Sequence, residues 1–171
     1  SSRRETGRAI VLAYHRVNDD GDPFFPALPS RTFRRQLELV ASLYRVDPLE
    51  EVVTWLREGA PGKARVAITV DDGYPDTAAV VAPILEELGL PATLFLVTRP
   101  PEDGRPVWTE QVRWAFKHAR TALPTGAERL HALQGTLRRL KALPASEVDT
   151  EVARLHEALK PEGPAPELLG W

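Results

Sequence analysis

The sequence predicts an α/β fold in which a parallel sheet is covered by helices, and three observations predict it. Short apolar runs rich in β-branched residues alternate with apolar stripes at helical spacing. Loops of a few residues bearing Pro or Gly join them. One run, Arg65-Val66-Ala67-Ile68-Thr69-Val70, passes directly into Asp71-Asp72-Gly73. Polar residues at the carboxyl end of a parallel strand are where folds of this class build their sites.

Ala9 to Tyr14 is a continuous apolar run and reads as a buried strand, followed by His15, Arg16 and a loop over Asn18 to Pro29. Ser30 is the expected N-cap of a helix whose face carries Phe33, Leu37, Val40 and Leu43. Tyr44-Arg45-Val46 is a short strand candidate. Pro48 then opens a helix through Leu49, Val52, Val53 and Leu56 to Gly59. After the acidic strand, Pro75 opens a helix through Val80, Val81, Ile84, Leu85 and Leu88, and Gly89 closes it. Ala92 to Val97 is another apolar strand. Beyond Pro100 the pattern is helical only, in segments over Thr109 to Arg120, Leu130 to Leu140 and Ser146 to Leu159, broken by Pro144 and Pro161. These helices are expected to pack on the sheet or on one another, with a docking surface for another chain as the alternative.

The 171 residues suit a single domain over 1–171, with a βα core over 9–100 and a mainly helical segment over 101–171. A net charge of -2 gives no reason to expect nucleic acid or an anionic membrane as partner. No stretch approaches the roughly 18 apolar residues of a membrane span, and no signal-peptide core is present. Cysteine is absent, which excludes disulfides and thiolate metal sites; methionine is absent too. With about four strands and a last stretch, Pro164 to Trp171, that reads as an opening helix, the chain is expected to be a truncated piece of a longer product.

Two adjacent carboxylates at a strand end repel. A fold tolerates them most readily when a cation lies between them or one serves as a base. Ordinary turn chemistry is the alternative for Asp71-Asp72-Gly73, and dipole complementation for Asp76. The order of the surrounding elements favours chemistry.

Three pieces of the chain carry a resemblance. Thr69-Val70-Asp71-Asp72-Gly73-Tyr74 is similar to the first motif of the NodB-type polysaccharide deacetylases, carbohydrate esterase family 4. Ala13-Tyr14-His15-Arg16-Val17 and Leu90-Pro91-Ala92-Thr93-Leu94-Phe95-Leu96-Val97 fall where that family expects them. The resemblance covers about residues 9 to 115. It implies part of a distorted (β/α) barrel with a helical insertion or helical C-terminal region. The implied activity is hydrolysis of acetyl groups on a polysaccharide of the cell envelope or extracellular space, using one divalent metal such as zinc. On that pattern Asp71 is the general base and Asp72 a metal ligand, while His15 belongs to the metal site or orients an acid, with a histidine satisfied by backbone at a strand end as the alternative. Tyr74 and Trp108 are candidates for stacking on sugar rings, with packing as the alternative for Trp108. Arg16 is a weaker candidate for contacting substrate, and Asp76 and Thr77 read as first-turn helix residues.

The family's remaining ligands are two histidines of a His-x-x-x-His type motif. The histidines here are His15, His118, His131 and His156, and no two are four apart. The metal is therefore expected to be incompletely liganded in this chain, with the pair lying beyond Trp171. His118, His131 and His156 fall on charged helical segments and are expected at the surface. Two other readings compete: an inactive sugar-binding or scaffolding module of the same fold, and a magnesium-binding receiver domain. The receiver ranks last, because its acids belong near the first strand and these follow the third.

Overall fold

A computed structural model describes residues 7–97, 107–120 and 126–164. They divide into two compact units, one of residues 7–21 and 27–97, the other of residues 22–26, 107–120 and 126–164.

The first unit runs β1 (Ala9–Tyr14), α1 (Ser30–Leu43), β2 (Arg45–Val46), α2 (Leu49–Arg57) and β3 (Arg65–Asp72). A π-helical turn (Thr77–Val81) leads into α3 (Ala82–Leu88), and β4 (Thr93–Leu96) follows. Every pairing is parallel and every one involves β3. β1 pairs from Ala9↔Arg65 to Tyr14↔Val70. Since β1 already occupies one side of that stretch, β2 (at Arg65 and Val66) and β4 (at Thr69 to Asp72) share the other. The two short strands lie end to end along one edge of β3. Among the described residues the sheet is open, as four strands require.

Val66, Ala67, Ile68 and Val70 are at most 2% exposed, the burial expected of a central parallel strand. Val17, Phe33, Leu37, Val81 and Ile84 close over Ile68 and Val70 to form the core of this unit. Each large side chain so buried contributes about 1.5–3 kcal/mol. The outer strands differ from the expectation of full burial: Val11 and Phe95 are each 51% exposed and Leu94 is 40% exposed. An apolar run states what a strand can bury, and a covering layer decides whether it does.

The helix starts also differ in detail. Pro29, not Ser30, occupies the N-cap of α1, and the Ser30 hydroxyl donates to Asp19 instead. The inward face of α2 is Val52 and Trp55, while Leu56 is exposed. Gly89 closes α3 with a φ of 62°, as its position predicts.

The second unit is helical: α4 (Trp108–Lys117), α5 (Gly126–Lys141) and α6 (Ala145–Leu159). They share one core that includes Val112, Phe116, Leu133, Leu140, Val152 and Leu159. The helices thus pack on one another, as one of the two expected arrangements requires. Residues 22–26, read from sequence as loop, join this unit: Arg113 Nη1 donates to Phe24 O at 2.9 Å and Lys117 Nζ pairs with Asp22. His131 is exposed as expected. His118 and His156 are instead half-buried, each with its ring centroid 5.7 Å from that of Trp114. The expected helix opening at Pro164 falls on residues 165–171, outside the described residues.

Candidate active site

The acidic pair lies where β3 stops. Asp71 and Asp72 still pair with Phe95 and Leu96 of β4. The chain then turns sharply: Gly73 N–H donates to Asp71 C=O at 3.0 Å, and Asp72 between them has a φ of 71°. A bond spanning two residues around a positive φ is the pattern of the rarer, strained γ-turn. Short polar residues enter this region at the lowest cost after glycine. Gly73 continues the reversal with its own φ of 71°, and a Cβ there would lie 2.5 Å from Leu96 Cδ2. Simple strand alternation would send the two acids to opposite faces. The turn replaces that geometry at Asp72 and leaves both side chains partly exposed.

His15 follows β1, one step beyond the Tyr14↔Val70 pair, which sets it level with Asp71. Its Nε2 is 3.7 Å from Asp71 Oδ2, with side-chain exposures of 60% and 30%. That is ion-pair reach and beyond hydrogen-bond length. The His15 ring thus lies beside Asp71 without a hydrogen bond to it.

The flanking residues resolve differently from the sequence expectation. Tyr74 is 7% exposed, and the Arg16 guanidinium carbon lies 4.8 Å from its ring centroid. Its face is covered by a cation rather than presented to a sugar. Trp108 packs against the core of the helical unit, the packing role weighed for it. Arg16 is tied inward: its Nε donates to Asp76 Oδ2 at 3.3 Å, and Asn18 Nδ2 donates to the same oxygen at 2.8 Å. Asp76 is 8% exposed, so it is a buried anchor rather than a solvated first-turn residue. Sequence reasoning missed this role. The one signal was an acid following the loop proline, with cationic and amide partners about sixty residues earlier.

Hydrogen bonds from the hydroxyl and amide of Ser30 hold the Asp19 carboxyl below its usual range, which braces the loop after His15. Two surface cavities, about 510 and 420 Å³, both border Arg65 at the opposite end of β3, and neither includes an acid of the pair.

The donor set is too small for a metal centre. Among the described residues, no group of three or more His, Cys, Asp or Glu side chains is placed to hold an ion. Zinc and similar ions require such a shell. Asp71, Asp72 and His15 therefore do not by themselves fit the cation that the resemblance implies.

No helix among the described residues is long and apolar enough to cross a membrane. No curated protein matches the chain. Among solved structures, IcaB from Ammonifex degensii is 28% identical with a TM-score of 0.49, over 55% of this chain and 40% of that one. A de-N-acetylase from Aggregatibacter actinomycetemcomitans is 23% identical with a TM-score of 0.44, over 70% of this chain and 43% of its own. The Streptococcus pyogenes deacetylase PplD, solved with acetate, is 19% identical with a TM-score of 0.46, over 78% of this chain and 54% of its own. The chain thus spans about half or less of each of these proteins. The family model described as polysaccharide deacetylase matches residues 58–161, a stretch that includes the acidic pair. With more than half of its length matched, the chain belongs to the polysaccharide deacetylase family.

Proposed function

We propose that the chain carries the base-bearing part of a hydrolase that removes acetyl groups from a polysaccharide of the cell envelope or extracellular space. One observation supports this above the others: the strained turn that sets Asp71 and Asp72 at the carboxyl end of the central strand, with His15 beside Asp71. In this reading Asp71 takes a proton from water as that water attacks the acetyl carbonyl. The bond from the carbonyl carbon to the sugar nitrogen or oxygen breaks, acetate is released, and the proton passes to the departing atom. Asp72 is the carboxylate assigned toward the divalent cation of the family, zinc or similar. Its other ligands would come from outside the described residues. Family membership sets aside the receiver reading.

The test is acetate release and bound-metal analysis on this chain and on a version extended by whatever follows Trp171 in its gene. The extended protein is expected to hold metal and release acetate, and the chain alone to do neither. Equal activity in both would overturn the proposed incompleteness. Asp71→Asn in the active form should lower turnover about 10²–10⁴-fold while metal stays bound. Full activity there would remove Asp71 as the base.

A further inference from the structure

Among the described residues His15 makes no hydrogen bond, and the carboxylate of Asp71 lies 3.7 Å from its ring. Its position must therefore be set by the chain on either side. On one side Tyr14 is fixed in β1 opposite Val70. On the other, residues 16–18 are held at several points. Leu28 N–H donates to Arg16 C=O at 3.0 Å and Asn18 N–H to Leu28 C=O at 3.1 Å, with Val17 fully buried between them. The Arg16 and Asn18 side chains both converge on Asp76 Oδ2.

Asp76 is costly where it lies. Its side chain is 7% exposed, and Oδ1, like the neighbouring Thr77 Oγ1, is buried with no hydrogen-bond partner among the described residues. An unsatisfied buried acceptor lowers stability, and such groups persist mainly where they serve another purpose. The helix after it begins with a π turn, an irregularity found frequently at functional sites. Asp76 also belongs to the same loop as the acidic pair, five positions after Asp71. With the Arg16–Tyr74 ring contact, it joins the segment after β3 to the segment after β1.

We propose that Asp76 is a positioning residue, whose carboxylate clamps Arg16 and Asn18 and so holds His15 against Asp71. Its catalytic consequence rests on Asp71 being the base, but the clamp can be tested without that reading. His15 ring resonances are followed by NMR on the labelled chain, with His118, His131 and His156 as internal references. Asp71→Asn is expected to shift the His15 signals. In an Asp76→Ala background that response is expected to be lost, with the reference signals unmoved, which shows that the variant is still folded. Asp76→Asn, which keeps an acceptor oxygen, should restore part of it.

An undiminished His15 response in Asp76→Ala, or none in the otherwise unaltered chain, would overturn the clamp. Should Asp76→Ala fail to fold, Arg16→Gln and Asn18→Ala each remove one arm. A weakened response in both supports the proposal, and an unchanged one in both overturns it. If acetate release from the extended protein survives Asp71→Asn, the base assignment falls, while the His15 response still decides the clamp on the same criteria.

Discussion

The two ends of β3, separated by about 20 Å of strand, treat charge in opposite ways. At the start, Asp47 is 5% exposed and accepts from Arg45 Nε at 2.7 Å and Arg65 Nη1 at 3.2 Å. Arg65 also stacks on the ring of Trp55 at 5.0 Å. At the finish, Asp71 is 30% exposed with one loose neighbour, and Asp72 is held in a strained turn. A buried carboxylate held by two guanidinium groups fixes a strand in place and is withheld from solvent. A half-solvated carboxylate with few partners adds little stability and keeps the capacity to accept a proton.

Substitutions at the two ends should therefore separate stability from activity. Asp71→Asn is the largest expected effect, the loss in turnover described above with the unfolding midpoint unmoved. A matching loss of stability would erase the contrast. Asp47→Ala leaves Arg65 half-buried without its acceptor and should cost about 2–3 kcal/mol in denaturant unfolding, with the His15 resonances unchanged. Gly73→Ala forces a side chain into positive φ against Leu96 and should cost about 1–2 kcal/mol. Asp72→Gly relieves the same turn and should gain about 0.5 kcal/mol, although the site loses a carboxylate. A loss of stability in Asp72→Gly would show that the turn is not strained.

The smallest effect concerns Tyr14, at the same end of the sheet. Burial raises its phenol above the usual 10.0. The folded state therefore favours the protonated ring, a contribution complete below pH 10 and lost as the pH rises through the raised value. Tyr14→Phe keeps the ring edge-on to Phe33 and should flatten the alkaline decline in stability.

Much of the first unit was legible because its signals are local. β1 is found as read, β2 lacks only the expected Tyr44, and β3 runs two residues past Val70, to Asp72. Gly89 stops its helix where a left-handed residue must. The acidic pair and its likeness to the deacetylase motif were readable for the same reason. What stayed hidden depends on partners distant in sequence. Asp76 looks like any first-turn acid until Arg16 and Asn18 fold onto it. Tyr74 looks like a sugar platform until a guanidinium covers it. His118 and His156 look like surface residues until α4 and α6 bring both against Trp114. The turn at Asp72 was invisible too, since the bare letters Asp-Asp-Gly fit several turn types.

The half-exposed outer strands have a consequence for how the chain behaves in solution. Val11 on β1 and Leu94 and Phe95 on β4 present apolar side chains on strands whose outer edges are unpaired among the described residues. Exposed apolar edge strands template association with other chains. A net charge of only -2 offers little mutual repulsion against this. Self-association should then grow with protein concentration and with excluded salts such as sulfate, well before the core of either unit gives way.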